Sequence, residues 1–385
     1  MREVELEGGS VAFVGALDIE HKDPGLALRR LPAWTRPQIP DLFMDVIVQM
    51  PSGVRLRFAT DSTTIELDVL QTMLRTVPNP LVASAFDVVV DGELAATVRS
   101  DVGHVITLDM RSPEDIVFDL GEPTTIRFES LAPGMKVVEL WLPQRATLDL
   151  LALRIDDGAA IEPAPVDERR RWIHYGSSIS HCLEADSPTT TWPAVAARLG
   201  GVSLRNLGFA GQCMLDPFVA RTIRDEPADL ISVKVGINLV NGDTMRDRTF
   251  GPALHGFLDT IREGHPDTPI VVASPIFCPA VEDHPGPTIV DAAGQCATVP
   301  GLEAMRLTCL TLTKLRSAIA SIVAARRDAG DAHLSYLDGL TLFGADDAGD
   351  LPDALHPNAA GYVRIGERFA AHAFAPGGPF APVAG

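Results

Sequence analysis

Beyond residue 171 the chain alternates short apolar runs with helical segments, and that alternation constrains its fold more than any other feature. Trp172–Tyr175, Val202–Leu207, Leu230–Val235, Ile270–Ser274 and Leu334–Asp338 read as strands. Between and after them, Trp192–Leu199, Pro217–Arg224, Phe250–Glu263, Met305–Arg327 and Pro357 to about Phe374 read as helices. Thr191 is placed to cap the first of these, Pro193 suits its first turn, and Gly200-Gly201 stops it. Strand–helix alternation with nearly continuous apolar strands implies a parallel sheet covered on both faces. Ligands of such sheets sit at the carboxyl ends of the strands.

Residues 1–156 have another texture. Asp45–Met50 and Val54–Phe58, separated by Pro51-Ser52-Gly53, predict a hairpin. Phe86–Val90 and Glu93–Val98 flank Asp91-Gly92, a strong short-range hairpin signal. Val105–Met110, Asp115–Leu120, Thr124–Leu131 and Lys136–Leu142 continue the series. Many short strands without a helical period imply a β-sandwich or jelly roll. Residues 157–171 are rich in Pro, Ala and charge, end in Arg169-Arg170-Arg171, and read as a linker to a second domain at 172–385. A length of 385 residues fits two cores better than one.

The net charge of −19 disfavours phosphate backbones and anionic membranes, so no nucleic-acid or membrane partner is expected. No run approaches the roughly 18 apolar residues of a membrane span. Met1–Glu7 lacks the apolar core of a signal peptide. The five cysteines (Cys182, Cys213, Cys278, Cys296, Cys309) are odd in number and without CxxC spacing. They predict reduced thiols in a cytoplasmic protein and no zinc site. No cofactor or metal is expected.

Four segments just past predicted strand ends carry chemistry. Tyr175-Gly176-Ser177-Ser178-Ile179-Ser180 runs a strand into a serine-rich turn, where a hydroxyl stands exposed above a sheet edge. It is not the Gly-x-Ser-x-Gly elbow, because Ser180 stands at the second glycine position. Asn206-Leu207-Gly208-Phe209-Ala210-Gly211 offers glycine backbone that can approach a ligand and present an N–H. Gly236-Ile237-Asn238 places an amide side chain after a buried strand. Asp353-Ala354-Leu355-His356 spaces a carboxylate and an imidazole three residues apart, with Pro357 suited to open a helix behind them. At a helix N-terminus the dipole disfavours imidazolium, and a nearby carboxylate offsets that. Alone, each of the first three is more often an ordinary turn, and Asp353–His356 is as readily a surface turn with a capping aspartate.

Together, in this order, the four blocks resemble those of the SGNH hydrolases, also called the GDSL esterases and lipases, over residues 172–375. The resemblance implies a flavodoxin-like α/β domain with Ser178 as nucleophile, His356 as base and Asp353 orienting it. It implies an oxyanion hole from the Ser178 N–H, the Gly211 N–H and the Asn238 side chain. Ser177 departs from the family, most members having aspartate there. Tyr-Gly-x-Ser-Ile and Asn-Leu-Gly-Phe-x-Gly, behind a β-domain, are similar to a two-domain subgroup whose plan family-2 carbohydrate esterases share. That subgroup includes acyltransferases acting on sugar-bearing natural products. The implied function is transfer of an acyl group, aromatic ones included, from acyl-CoA, an acyl carrier protein or an activated ester to a sugar or glycoside hydroxyl. A carbohydrate or small-ester esterase uses the same residues, and a non-catalytic carbohydrate-binding protein is the alternative from another class.

Other residues have plainer readings. His174, within a strand, is expected in the core, and His181 in a turn or at the pocket entrance. Cys182 and Cys213 read as small buried side chains. Trp34 reads as a packing tryptophan before a sugar platform. Residues 279–300 form a long Pro/Gly/Asp-rich insertion and a candidate lid.

Overall fold

The computed structural model describes residues 1–77, 79–109 and 112–382. Met110, the last residue of one expected strand, and residues 383–385 of the expected second domain lie outside the described residues. The chain forms two compact units, residues 1–168 with 186–189, and residues 169–185 with the described chain from 190 onward.

The first unit is a sandwich of an eight-stranded and a six-stranded sheet. The Ile65–Val77 strand is central, pairing antiparallel with Ala146–Ile155 and Thr124–Phe128 and parallel with His104–Asp109. Its period of two holds from Ile65 to Met73: Ile65, Leu67 and Val69 are buried while Glu66 and Asp68 face outward, where both take Arg154. Inward residues of both sheets, among them Leu56, Phe58, Leu67, Phe86, Phe128 and Leu140, share one apolar core. Ser84–Val90 and Glu93–Ser100 form the hairpin expected at Asp91-Gly92. The turn residues have φ of 48° and 90°, the twist a two-residue hairpin needs.

The hairpin expected at 45–58 is half wrong. Leu42–Gln49 is an α-helix, and only Arg55–Thr60 is a strand. The β-branched run Val46-Ile47-Val48 suggests a strand, but the Asp41 side chain accepts the Met44 N–H at 2.7 Å and caps a helix there. Met44, Ile47 and Val48 then fall on one buried face. In the stretch read as linker, Ile161–Glu162 pairs with the Arg55–Thr60 strand. Arg2 and Thr60 fix it further by donating to the Ala159 and Ala160 carbonyls at 2.7 and 2.6 Å. Trp34 lies in a short 3-10 segment and is 41% exposed.

The second unit is built on a five-stranded parallel sheet. Its order is Ser203–Gly208, Arg171–Gly176, Leu230–Lys234, Ile270–Ala273, Leu334–Leu337. Numbered along the chain this is 2-1-3-4-5, and the order reverses between the first and third strands. One face carries Trp172, stacked on Phe369 at 5.2 Å beside Trp192. The other carries Tyr175, stacked on Phe257 at 5.1 Å. The long helix expected from Met305 is interrupted: Glu303–Thr308 is a 3-10 segment, and the α-helix is Leu312–Asp328, capped by Thr311. The last helix, Ala359–Ala373, is capped by Asn358, so Pro357 stands before it rather than opening it. Of the three arginines at 169–171, Arg171 forks onto Asp229 and Arg170 donates to the Phe380 carbonyl, which commits them inside the unit. Among the described residues no helix is long and apolar enough to cross a membrane.

The sandwich core makes a direct prediction. Leu67→Ala should cost about 2–5 kcal/mol, and Leu94→Ala, on an exposed strand position, within about 0.5 kcal/mol. Denaturant unfolding of the two variants measures both, and equal losses would contradict the assigned faces.

Candidate active site

Three of the four blocks meet where the strand order reverses. The Arg171–Gly176 strand ends, and Ser178–His181 makes one helical turn. Ser177 caps that turn, its hydroxyl accepting the Ile179 N–H at 3.3 Å. Ser177, the departure from the resembled pattern, thus itself supports the turn. The turn lies against the end of the Ser203–Gly208 strand. A Cβ on Gly208 would stand 2.5 Å from the His181 nitrogen, so only glycine admits the helix there. Asn206 holds it in place, donating to the Ser180 carbonyl and accepting the Gly208 N–H, both at 2.9 Å.

Beneath this turn lies a buried polar chain. His174 is fully buried, with Nδ1 2.7 Å from the Ser232 hydroxyl and Nε2 2.7 Å from the Ser180 hydroxyl. Burial pushes its pKa well below the ordinary value, and the Lys234 charge adds to that, so the ring is neutral. The core role expected for His174 is therefore specific: it anchors the serine two residues past Ser178. His181, expected in a turn or at a pocket entrance, is instead fully buried in the helical turn.

The Asp353–His356 loop faces Ser178. The Ser178 Oγ lies 2.9 Å from His356 Nε2, and His356 Nδ1 lies 2.7 Å from Asp353 Oδ2. The other Asp353 oxygen accepts the Leu355 and His356 N–H groups at 2.9 and 2.6 Å. One carboxylate therefore shapes the loop and orients the ring. Ser178 is 7% exposed and the His356 side chain 19%. Burial lowers the imidazole's affinity for a proton, but carboxylates overcome it and raise the pKa to about 9. The Glu184 charge acts first among them, then Asp353. Burial works against the Asp353 carboxylate too, yet its bonds to His356 hold its pKa below the ordinary value.

Glu184 was missed by sequence reasoning. Its Oε1 is 3.8 Å from His356 Nδ1, and its Oε2 accepts the Tyr362 hydroxyl at 2.7 Å. No local pattern marks it, because its two neighbours come from a segment more than 170 residues away.

The remaining two expected residues lie on neighbouring strand ends. Gly211, with φ 71°, is in the turn after the Ser203–Gly208 strand. Asn238 is the second residue of the short helix Ile237–Asn241, which follows Gly236 at φ 132°, a conformation that a side chain would strain. Asn238 Oδ1 accepts the Cys213 N–H at 3.1 Å, which leaves its NH2 as a donor. The insertion at 279–300 contains a small hairpin, Thr288–Val290 with Cys296–Thr298. It is bonded to the loop of Asp353: the Cys296 N–H donates to the Asp353 carbonyl at 2.8 Å, and Gln295 donates to the Pro352 carbonyl at 3.0 Å. All five cysteines are free thiols.

Residues 174–364 match the model of the GDSL-like Lipase/Acylhydrolase family, and residues 11–151 match that of the SsfX3 N-terminal domain. Among solved structures the chain is similar to the salicylyl-acyltransferase SsfX3 from a tetracycline biosynthetic pathway, with 31% identity, 95% of each chain covered and a TM-score of 0.79. A GDSL-like lipase from Bacteroides ovatus matches at 19% identity over 94% of each chain, TM-score 0.68. A family two carbohydrate esterase from Clostridium thermocellum matches at 14% identity over 94% of this chain and 97% of its own, TM-score 0.59. The last two likenesses show the fold alone. No curated protein matches.

The buried chain under the Ser178–His181 turn can be tested. Ser232 also accepts the Trp172 indole N–H at 2.9 Å, so Ser232→Ala strips a partner from both Trp172 and His174. Each buried group left unpaired should cost roughly 1–3 kcal/mol in urea unfolding. Wild-type stability in this variant would remove Ser232 from the support of the site.

Proposed function

The chain belongs to the GDSL-like lipase/acylhydrolase family and is an acyltransferase or ester hydrolase, and from that premise we propose that Ser178 carries an acyl group from a donor to a sugar or glycoside hydroxyl. The observation that carries the chemistry is the continuous line Ser178 Oγ, His356 Nε2, His356 Nδ1, Asp353 Oδ2, with contacts of 2.9 and 2.7 Å, at the carboxyl edge of the sheet.

His356 takes the Ser178 proton as the hydroxyl attacks the donor carbonyl. The Ser178 and Gly211 N–H groups and the Asn238 NH2 receive the negative charge on oxygen, each worth a few kcal/mol in the transition state. The resulting imidazolium is stabilised by Asp353 and returns its proton to the leaving thiolate or alkoxide. An acyl-Ser178 ester remains. The acceptor hydroxyl then loses its proton to His356 and attacks that ester, and the proton passes back to Ser178.

Transfer rather than hydrolysis is supported by 31% identity along nearly the whole chain to a salicylyl-acyltransferase, N-terminal domain included. The esterase likenesses are far more distant in sequence. An aromatic acyl group is the first candidate. Donors of the acyl-CoA, acyl carrier protein or activated ester classes all fit the mechanism. Water at about 55 M must be outcompeted, which an acceptor achieves when binding gives it an effective molarity of up to about 10⁵–10⁸ M.

Intact-mass measurement after incubation with a panel of acyl thioesters should show one acyl increment on the wild type and none on Ser178→Ala, whose turnover falls by several orders of magnitude. Asn238→Ala should lower the rate roughly 100- to 1,000-fold with little change in substrate affinity. Adding a glycoside acceptor should speed loss of the acyl increment and yield acylated glycoside. Free acid released at a rate indifferent to every acceptor would reject transfer and leave an esterase. An unmodified wild type, or an active Ser178→Ala, would reject Ser178.

A further inference from the structure

The segment that supplies Ser178 also supplies a second carboxylate to the same imidazole. Cys182, at φ 63°, ends the nucleophile turn in a left-handed conformation and folds the chain back. Ser178 stands at Nε2 of His356, while Glu184, six positions on, stands at Nδ1. At 3.8 Å the Glu184 oxygen is too far for a hydrogen bond but close for a charge. The Nδ1 hydrogen bond belongs to Asp353 at 2.7 Å. Glu184 is held by its other oxygen, which accepts the hydroxyl of the fully buried Tyr362 on the helix Ala359–Ala373.

We propose that Glu184 is a positioning residue acting through His356: a second carboxylate on the Nδ1 side that strengthens the imidazole as a base, with Tyr362 as its anchor. The proposal rests on the reading of His356 as the general base. The charged and titratable groups around the ring are Asp353 on its own loop, Glu184 after the nucleophile turn, and Cys296 on the small hairpin. Tyr362 touches Glu184 from the last helix. Asp353, Glu184 and Cys296 all favour the protonated ring, burial opposes them, and the balance puts the imidazole pKa at about 9.

A ring that titrates near 9 is mostly imidazolium at neutral pH, and attack by Ser178 needs it neutral. The acid limb of kcat/KM therefore lies on the alkaline side. Glu184→Gln keeps the shape and an acceptor for Tyr362 but removes the charge. The imidazole pKa then falls, and the acid limb moves to lower pH by about one unit. The fraction of base-competent enzyme at pH 7 rises up to about tenfold, while the plateau of kcat/KM falls because the base is weaker. A purely structural role would lower activity at every pH without moving the limb.

Two readouts are needed: the pH profile of kcat/KM with an activated ester, and direct NMR titration of the His356 ring in histidine-labelled protein. Both should shift down in Glu184→Gln. Tyr362→Phe, which frees the carboxylate, should shift them in the same direction by less. A His356 ring that titrates at the wild-type pH in folded Glu184→Gln overturns the proposal. A shifted ring in a protein whose Ser178 is acylated by no thioester supports Glu184 acting on His356 and rejects the nucleophile reading instead.

Discussion

The site depends on how closely one helical turn can approach the end of one strand. Ser178–His181 lies against the Gly208 backbone at a distance that no Cβ permits. Asn206 then locks the two together by bonding to the helix at Ser180 and to its own strand at Gly208. From below, His174 fixes Ser180 through a neutral ring. The Ser178 turn is thus held from two sides, by Asn206 and by His174. This is what lets a serine sit at a sheet edge in a single orientation, within 2.9 Å of an imidazole that arrives from another part of the chain.

Electrostatics decide the state of that imidazole. A buried histidine with no carboxylate against it becomes neutral, as His174 does in the Arg171–Gly176 strand. His356 goes the other way because carboxylates face its Nδ1 side. Two histidines of one unit are therefore driven to opposite protonation states by their neighbours. His174 serves as a fixed strut, and His356 is held ready to bind a proton by the carboxylates on its Nδ1 side. The parallel sheet makes this arrangement possible, since strand ends separated by many residues converge at the point where strand order reverses.

In the sandwich unit, local signals succeeded where one residue type dominates the geometry. Asp91-Gly92 turned the chain because both positions need positive φ. The segment Asp45–Met50 misled because its β-branched residues favour a strand on average. A single side chain, Asp41, together with a core on the i, i+3, i+4 face, outweighs that preference. In the second unit the helix expected from Met305 begins only at Leu312, capped by Thr311 after a 3-10 segment.

Taken alone, the sequence determined that the second half is a parallel α/β layer and that Ser178, Asp353 and His356 are its reactive candidates. Strand period, turn chemistry and the Asp-x-x-His spacing are local, and a linear string records them. It did not reveal Glu184 or Tyr362, or the part His174 plays beneath Ser180. These groups act through neighbours distant in the chain, and an ordinary glutamate, tyrosine or strand histidine carries no mark of what it will face. Only the tertiary structure set Glu184 at 3.8 Å from an imidazole 172 positions later, because charge acts through space and depends on distance and burial rather than on order along the chain.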